Sequence, residues 1–138
     1  MATAKALAWQ APVVLTFAAG PNAALLTSPD VTLWQADADA ELVRAEIVVE
    51  TAASGSQELD LKRCADGVAA TSGTSLLAAT FVLDVAGQQR KSLSAGTLAS
   101  DRLIAAGQRL VLDFIGTPTT LTGLNVTVVL NRLNRPSW

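Results

Sequence analysis

The sequence predicts an all-β protein, an antiparallel β-sandwich of jelly-roll-like build with roughly eight strands. Three observations lead there. Apolar and polar residues alternate with a period of two along several stretches, which sends one row of side chains to a core and the other to water. Clusters of Gly, Ser, Thr, Asn and Pro separate those stretches at short intervals, as antiparallel turns require. No window carries a long apolar stripe at helical spacing between caps. The 138 residues fit one domain. Half of them are hydrophobic, chiefly Ala, Val and Leu, and small or β-branched side chains suit the thin interior between two packed sheets.

Taken in order, Pro12, Pro21 and Pro29 punctuate the start of the chain. Residues 1–30 therefore read as an N-terminal arm or edge segment with a weak strand over 13–18, and residues 31–138 as the sandwich domain. A short strand over 31–36 carries Trp34. Asp37, Asp39 and Glu41 follow at alternate positions. Three carboxylates on one side suit a hard cation, but the spacing lacks the glycine and ligand order of a calcium loop, so a solvated turn is the simpler reading. Over 43–51, Val43, Ala45, Ile47 and Val49 alternate with Arg44, Glu46 and Glu50. Over 58–62, Leu59 and Leu61 alternate with three charges. The small polar cluster 53–56 between them predicts a hairpin.

Residues 75–79 read as a single helical turn or a strand, and weak strands are expected over 81–85 and 94–99. Gly107 is placed to take a positive φ in a bend that leads directly into the next strand. That strand puts Leu110, Leu112 and Phe114 on one face. A second strand over 125–131 puts Val126, Val128 and Leu130 inward and Asn125, Thr127 and Asn131 outward. The connection over 116–123 is rich in turn formers and poor in charge, so the two strands read as a pair.

The composition excludes several function classes. There is no histidine, so the usual general base and the commonest metal ligand are missing. No phosphate-binding glycine loop, nucleophile elbow or paired-cysteine metal spacing occurs. An enzyme is not expected, and neither is a cofactor or metal. Carboxylate catalysis needs only two acids, but a glycosidase cleft also uses aromatic platforms, which three Trp and three Phe hardly supply. Net charge is −2 with no basic stripe, so no nucleic-acid partner is expected. Apolar runs fall far short of a bilayer span, and the opening residues do not read as a secretory signal. The lone Cys64 reads as a small core hydrophobe in a strand. Charged residues make up only 16%, below the roughly 25% usual in soluble domains, which points to surface covered by a partner.

Interface candidates follow from residue type and place. Trp and Arg are frequent energetic anchors of interfaces. Trp9, Pro12 and Pro21 lie in the proline-punctuated start, Trp34 in a short strand, and Arg135 and Trp138 at the C-terminal end. An arm and a tail bearing Trp would clasp a neighbouring subunit.

The stretches over 42–52, 72–77, 103–114 and 123–130 together make the chain resemble the small all-β virion proteins of tailed bacteriophages, especially capsid decoration (cement) proteins. The likeness covers residues 31–133. The bend at Ala106-Gly107 followed by an alternating strand is also similar to trimeric tumour-necrosis-factor-like jelly rolls; Gln108 stands where many such chains have Asp. The resemblance implies a homotrimer on the capsid exterior, made in the host cytoplasm, with the major capsid protein as partner and no membrane or nucleic acid involved. It brings no catalytic residues. The alternatives are a phage fibre or baseplate domain that binds a host-surface glycan, or a carbohydrate-binding module.

Overall fold

The computed structural model describes residues 12–19, 30–91, 102–116 and 121–133. Among the described residues ten strands run in chain order as β1 (Val13–Ala19), β2 (Asp30–Gln35), β3 (Ala40–Val49), β4 (Glu58–Cys64), β5 (Thr74–Ser75), β6 (Phe81–Val82), β7 (Gly87–Lys91), β8 (Leu103–Ile104), β9 (Arg109–Ile115) and β10 (Leu124–Arg132). They form two five-stranded sheets. One has the order β1-β10-β3-β7 with β8 also on β3; the other has the order β2-β9-β4-β5 with β6 also on β4. Every strand pairing is antiparallel. The predicted all-β sandwich is the fold observed.

The core lies between the sheets, where the alternating rows meet. Leu42, Ala45, Ile47 and Val49 of β3 and Val126, Val128 and Leu130 of β10 face Leu59 and Leu61 of β4 and Leu110, Leu112 and Phe114 of β9. The rows expected on the last two long strands are the ones buried. A second, smaller cluster forms on the outer face of the other sheet, where Cys64, Val111 and Ala70 pack together. Ala70 belongs to a single 3₁₀ turn, Ala70–Ser72, that lies over β4 and β9. Both faces of β9 are therefore buried from Leu110 to Phe114.

Four expectations are corrected. The stretches 43–51 and 58–62 do not form a hairpin: β3 and β4 lie in different sheets. The cluster at 53–56 does turn the chain, with Gly55 at φ +78°, but it carries the chain across the core. Both strands turn an apolar row to the core, and those rows look at each other instead of the strands sharing hydrogen bonds. The pair expected around 116–123 is split in the same way, with β9 in one sheet and β10 in the other. Val43 is 44% exposed. The β3–β10 register slips between Val129 and Leu130, so that Val43 is the extra residue and Leu42 and Ala45 both point inward. Residues 75–79 hold no helical turn; the 3₁₀ turn falls earlier, at Ala70–Ser72, and Thr74–Ser75 is strand. The weak strand over 94–99 lies outside the described residues, whereas β7 and β8 were not anticipated.

Gly107 adopts φ +87° as the bend requires. Its amide donates to the Ala36 carbonyl, and the Ala36 amide donates to the Gln108 carbonyl, both at 2.8 Å. The Gln108 side-chain carbonyl accepts the Ala105 amide at 2.8 Å. The bend is thus bonded to the corner where β2 leaves one sheet and β3 enters the other.

Candidate functional site

Three places on the described residues gather polar or unpartnered groups. The first is the acidic corner between β2 and β3. Arg132 makes a two-point contact with Asp37, at 3.2 and 3.1 Å. Asp39 accepts the Ala106 amide at 2.8 Å, and Glu41 pairs with Arg102 at 2.8 Å. Each acid thus serves a different partner, and together they tie the ends of β3 and β10 to the β8–β9 bend. Among the described residues no group of acids, Cys or His is arranged to hold a metal ion.

The second is a charged row across the outer face of the β2-β9-β4 sheet. Asp30, Asp113 and Asp60 are register partners on adjacent strands. Asp60 and Asp113 are buried, at 5% and 4% exposure. Lys62 reaches diagonally from β4 to Asp113 on β9, with Nζ 2.7 Å from Oδ2. Asp60 accepts the Leu61 amide at 2.8 Å and the Ser75 hydroxyl at 2.7 Å. A shallow pocket beside the row is lined by Asp30, Asp113, Ala69 and the first two residues of the 3₁₀ turn, Ala70 and Thr71. Its buried acid is already paired with a lysine, and the arrangement does the work of closing a charged sheet face under a turn.

Cys64 sits at the edge of this face, 1% exposed. Burial pushes its thiol up, against the opposing pull of Arg109 and Lys62. Gly73 closes over it: a Cβ there would lie 2.5 Å from the Cys64 sulfur and 2.9 Å from the Arg63 carbonyl oxygen. The thiol is therefore protonated at neutral pH and shielded. Iodoacetamide is expected to leave the native protein unmodified and to alkylate it fully in denaturant; native alkylation at the denatured rate would contradict this placement.

The third place is the side of the sandwich formed by β1 and β2, the edge strands of their two sheets, which touch each other there. The inward row of β10 is buried to 2% or less. By contrast, Val13, Leu15 and Phe17 of β1 and Val31, Leu33 and Trp34 of β2 are only partly buried against the core. Phe17 meets Phe114 with ring centroids 6.4 Å apart. On the outer side of β1, Val14, Thr16 and Ala18 are exposed, Val14 by 56%. The apolar seam between the two edges is left incompletely covered by the described residues.

The edges differ in how they are guarded. Exposed edges invite another strand, and proteins usually blunt them with charge, proline, bulges or short length. Strands β5, β6 and β8 have two residues each. Strand β7 ends in Arg90-Lys91. Strand β2 carries Asp30 and a register break between Thr32 and Trp34. Strand β1 has none of these devices. It runs VVLTFAA for seven residues, without charge or proline, in seven unbroken register pairs with β10.

Among the interface candidates, the structure brings Pro12 and Trp34 to this same side. Pro12 is exposed directly before β1, and Trp34 is half-buried on β2. Trp9, Pro21, Arg135 and Trp138 lie outside the described residues. Val13, Leu15 and Phe17 were missed as site residues. The signal available in the sequence was an uncharged strand following a proline.

No protein-family model and no curated protein sequence matches the chain. Two solved structures are similar to it at low identity. One is a protein of Bacillus endospore appendages, described as disulfide-linked pili, with TM-score 0.37 and 12% identity over 90% of this chain and 87% of that one. The other is from infectious bursal disease virus, Gx strain, with TM-score 0.31 and 13% identity over 89% of this chain and 37% of that one. Among the described residues no helix is long and apolar enough to cross a membrane.

Proposed function

We propose that the chain is a non-catalytic structural protein of a virion, a homotrimer that decorates the exterior of a phage capsid and stabilises it by bridging adjacent capsid subunits. The observation that carries the assembly part of this reading is the β1 edge, unguarded among the described residues, beside the partly buried row Val13, Leu15 and Phe17. A monomer that works alone gains nothing from a seven-residue neutral edge, which exposes it to uncontrolled pairing. A subunit that joins other chains uses it. The capsid as the place of assembly rests on the resemblance of the alternating strands and the Ala-Gly bend to decoration proteins.

Bridging stabilises a shell by linkage: a ligand that binds only the intact lattice favours it by about 2.7 kcal/mol at a free concentration about a hundred times its dissociation constant. The rival reading, a glycan-binding fibre or carbohydrate module, calls for exposed aromatic or polar groups gathered at a binding face. The described aromatics Phe17, Trp34, Phe81 and Phe114 instead all pack on the core. Co-sedimentation separates the two. Purified protein mixed with undecorated shells is expected to pellet with them and to raise their bursting temperature. Recovery with tail parts or on immobilised glycans, and not with shells, would replace the capsid reading.

A further inference from the structure

We propose that residues 65–73 form a strap, latched by Arg109, that opens as a unit while both sheets stay folded and uncovers the outer face of β4 and β9 at Cys64 and Val111. The inference goes beyond the assembly reading above and does not rest on it.

The strap leaves β4 at Cys64 and returns to the same strand, where Thr74 and Ser75 of β5 are the register partners of Arg63 and Lys62. The following residue is fixed as well, since the Leu76 amide donates to the Leu61 carbonyl at 2.9 Å. Both ends are thus held by one strand, and the segment between them can move without displacing either sheet.

What lies between the ends is thinly attached. Of residues 65–73 only Ala70 is buried, and most of the others are exposed. Ala70 packs with Cys64 and Val111 in a cluster separate from the main core. The strap's own backbone hydrogen bonds close within it. The Val68 amide donates to the Ala65 carbonyl at 3.1 Å, the Ser72 amide to Ala69 at 3.0 Å and the Gly73 amide to Ala70 at 2.9 Å. Segments with few buried apolar contacts and solvent-exposed backbone bonds open at the low end of the free-energy range of a native structure.

Among the described residues one side chain ties the strap to the sheets. The Arg109 guanidinium donates from Nη2 to the Val68 carbonyl and from Nη1 to the Thr32 hydroxyl at 3.1 Å. Its own backbone is held between Gln35 of β2 and Cys64 of β4. Arg109 therefore spans from a fixed strand to a loose segment, through a bond from a charged donor, which is stronger than a neutral one. At the far end Gly73 closes over the Cys64 sulfur. The buried thiol is the group that an opening would bare.

Cys64 is the chain's one cysteine, so the rate at which DTNB labels the purified full chain reads the opening directly. A brief alkylation still leaves the closed protein unmodified, because the open form is a small fraction. Over longer times labelling is expected to proceed at a rate independent of urea below the unfolding transition, and at least about tenfold faster than the global unfolding constant permits. Arg109→Met is expected to speed it by about tenfold or more. Charge alone would act the other way: burial holds the Cys64 thiol up and Arg109 pulls it down, so losing the cation leaves less thiolate to react. Ala70→Gly keeps Arg109 and removes the strap's one buried side chain, and it too is expected to speed labelling. Phe81→Leu is the control. Phe81 pairs with Leu59 at the opposite end of β4, so this variant should lower the urea midpoint and leave labelling without urea unchanged.

Labelling that climbs with urea from the outset, and that Phe81→Leu speeds by the factor by which it raises the unfolding constant, would show that Cys64 is reached only through global unfolding. That result overturns the inference. So does an Arg109→Met protein with the parent's circular-dichroism spectrum that labels no faster than the parent. If Arg109→Met does not fold, Ala70→Gly decides, and an unchanged rate there sinks the strap.

Discussion

Lys62→Ala is expected to destabilise the protein by about 3–5 kcal/mol, because it leaves a buried carboxylate without its partner. Asp113 sits at 4% exposure, and the Lys62 ammonium, 2.7 Å away, is the cation that compensates it. The rest of the row adds to the cost, since Asp60 and Asp30 are its register neighbours on either side. Removing both charges is different. Lys62→Met together with Asp113→Leu deletes the desolvation penalty along with the attraction, and such replacements are often neutral or stabilising by about 1–4 kcal/mol. Urea unfolding of the three proteins decides the matter. A single variant within about 1 kcal/mol of the parent would mean that water reaches Asp113 and that the face is not sealed.

Phe81→Ala is expected to cost a similar amount, about 3–5 kcal/mol, as a large side chain lost from a close-packed interior. Phe81 is 1% exposed and heads the fully buried side chains by volume. Its strand, β6, has only two residues and two register partners, Leu59 and Glu58 on β4. The segment is also held by Thr80, whose hydroxyl donates to the Glu58 carboxylate, and by Leu83, whose amide donates to the Gln57 carbonyl and whose carbonyl accepts the Ala53 amide, both at 2.8 Å. Besides the global loss, the variant should lose hydrogen-exchange protection at Leu83 and Ala53 ahead of the β4–β9 ladder. Protection that falls uniformly across both sheets would show that β6 is not held by its phenylalanine.

The rows of the sandwich were legible and the neighbours were not. Leu110, Leu112 and Phe114, or Val126, Val128 and Leu130, announce a buried face through their spacing, because side-chain direction repeats every two residues whatever the strand pairs with. The identity of the pairing strand is a long-range property. Thus the turn formers at 53–56 were read correctly as a turn and wrongly as a hairpin, since Gly55 permits a reversal within one sheet or a crossing between two. Val43 is a related case: the bulge opposite Val129 and Leu130 re-aims it, and a one-residue slip leaves no compositional trace. Asp60 and Asp113 looked like a wet face by charge, yet both are buried, Asp60 bonded to Ser75 and Asp113 paired with Lys62. The acidic corner was legible as a turn, though not its ties to Arg132, Arg102 and the Ala106 amide. The β1 side was legible in part, through Pro12 and Trp34. Its unguarded edge emerges only by comparison with the other edges.

The position of β10 sets the order in which the molecule can be made. It lies between β1 and β3 and is the register partner of both, although it is the last of the described strands. On the ribosome, therefore, β1 and most of β3 wait beside a gap until β10 emerges, and among the described strands only β4 and β5 find a partner in the next strand along. Such distant pairing slows folding and leaves valine- and leucine-rich rows open to other chains in the interval. High-level expression should accordingly favour slow synthesis or chaperone supply, and a chain cut short of β10 should aggregate instead of yielding a smaller soluble domain.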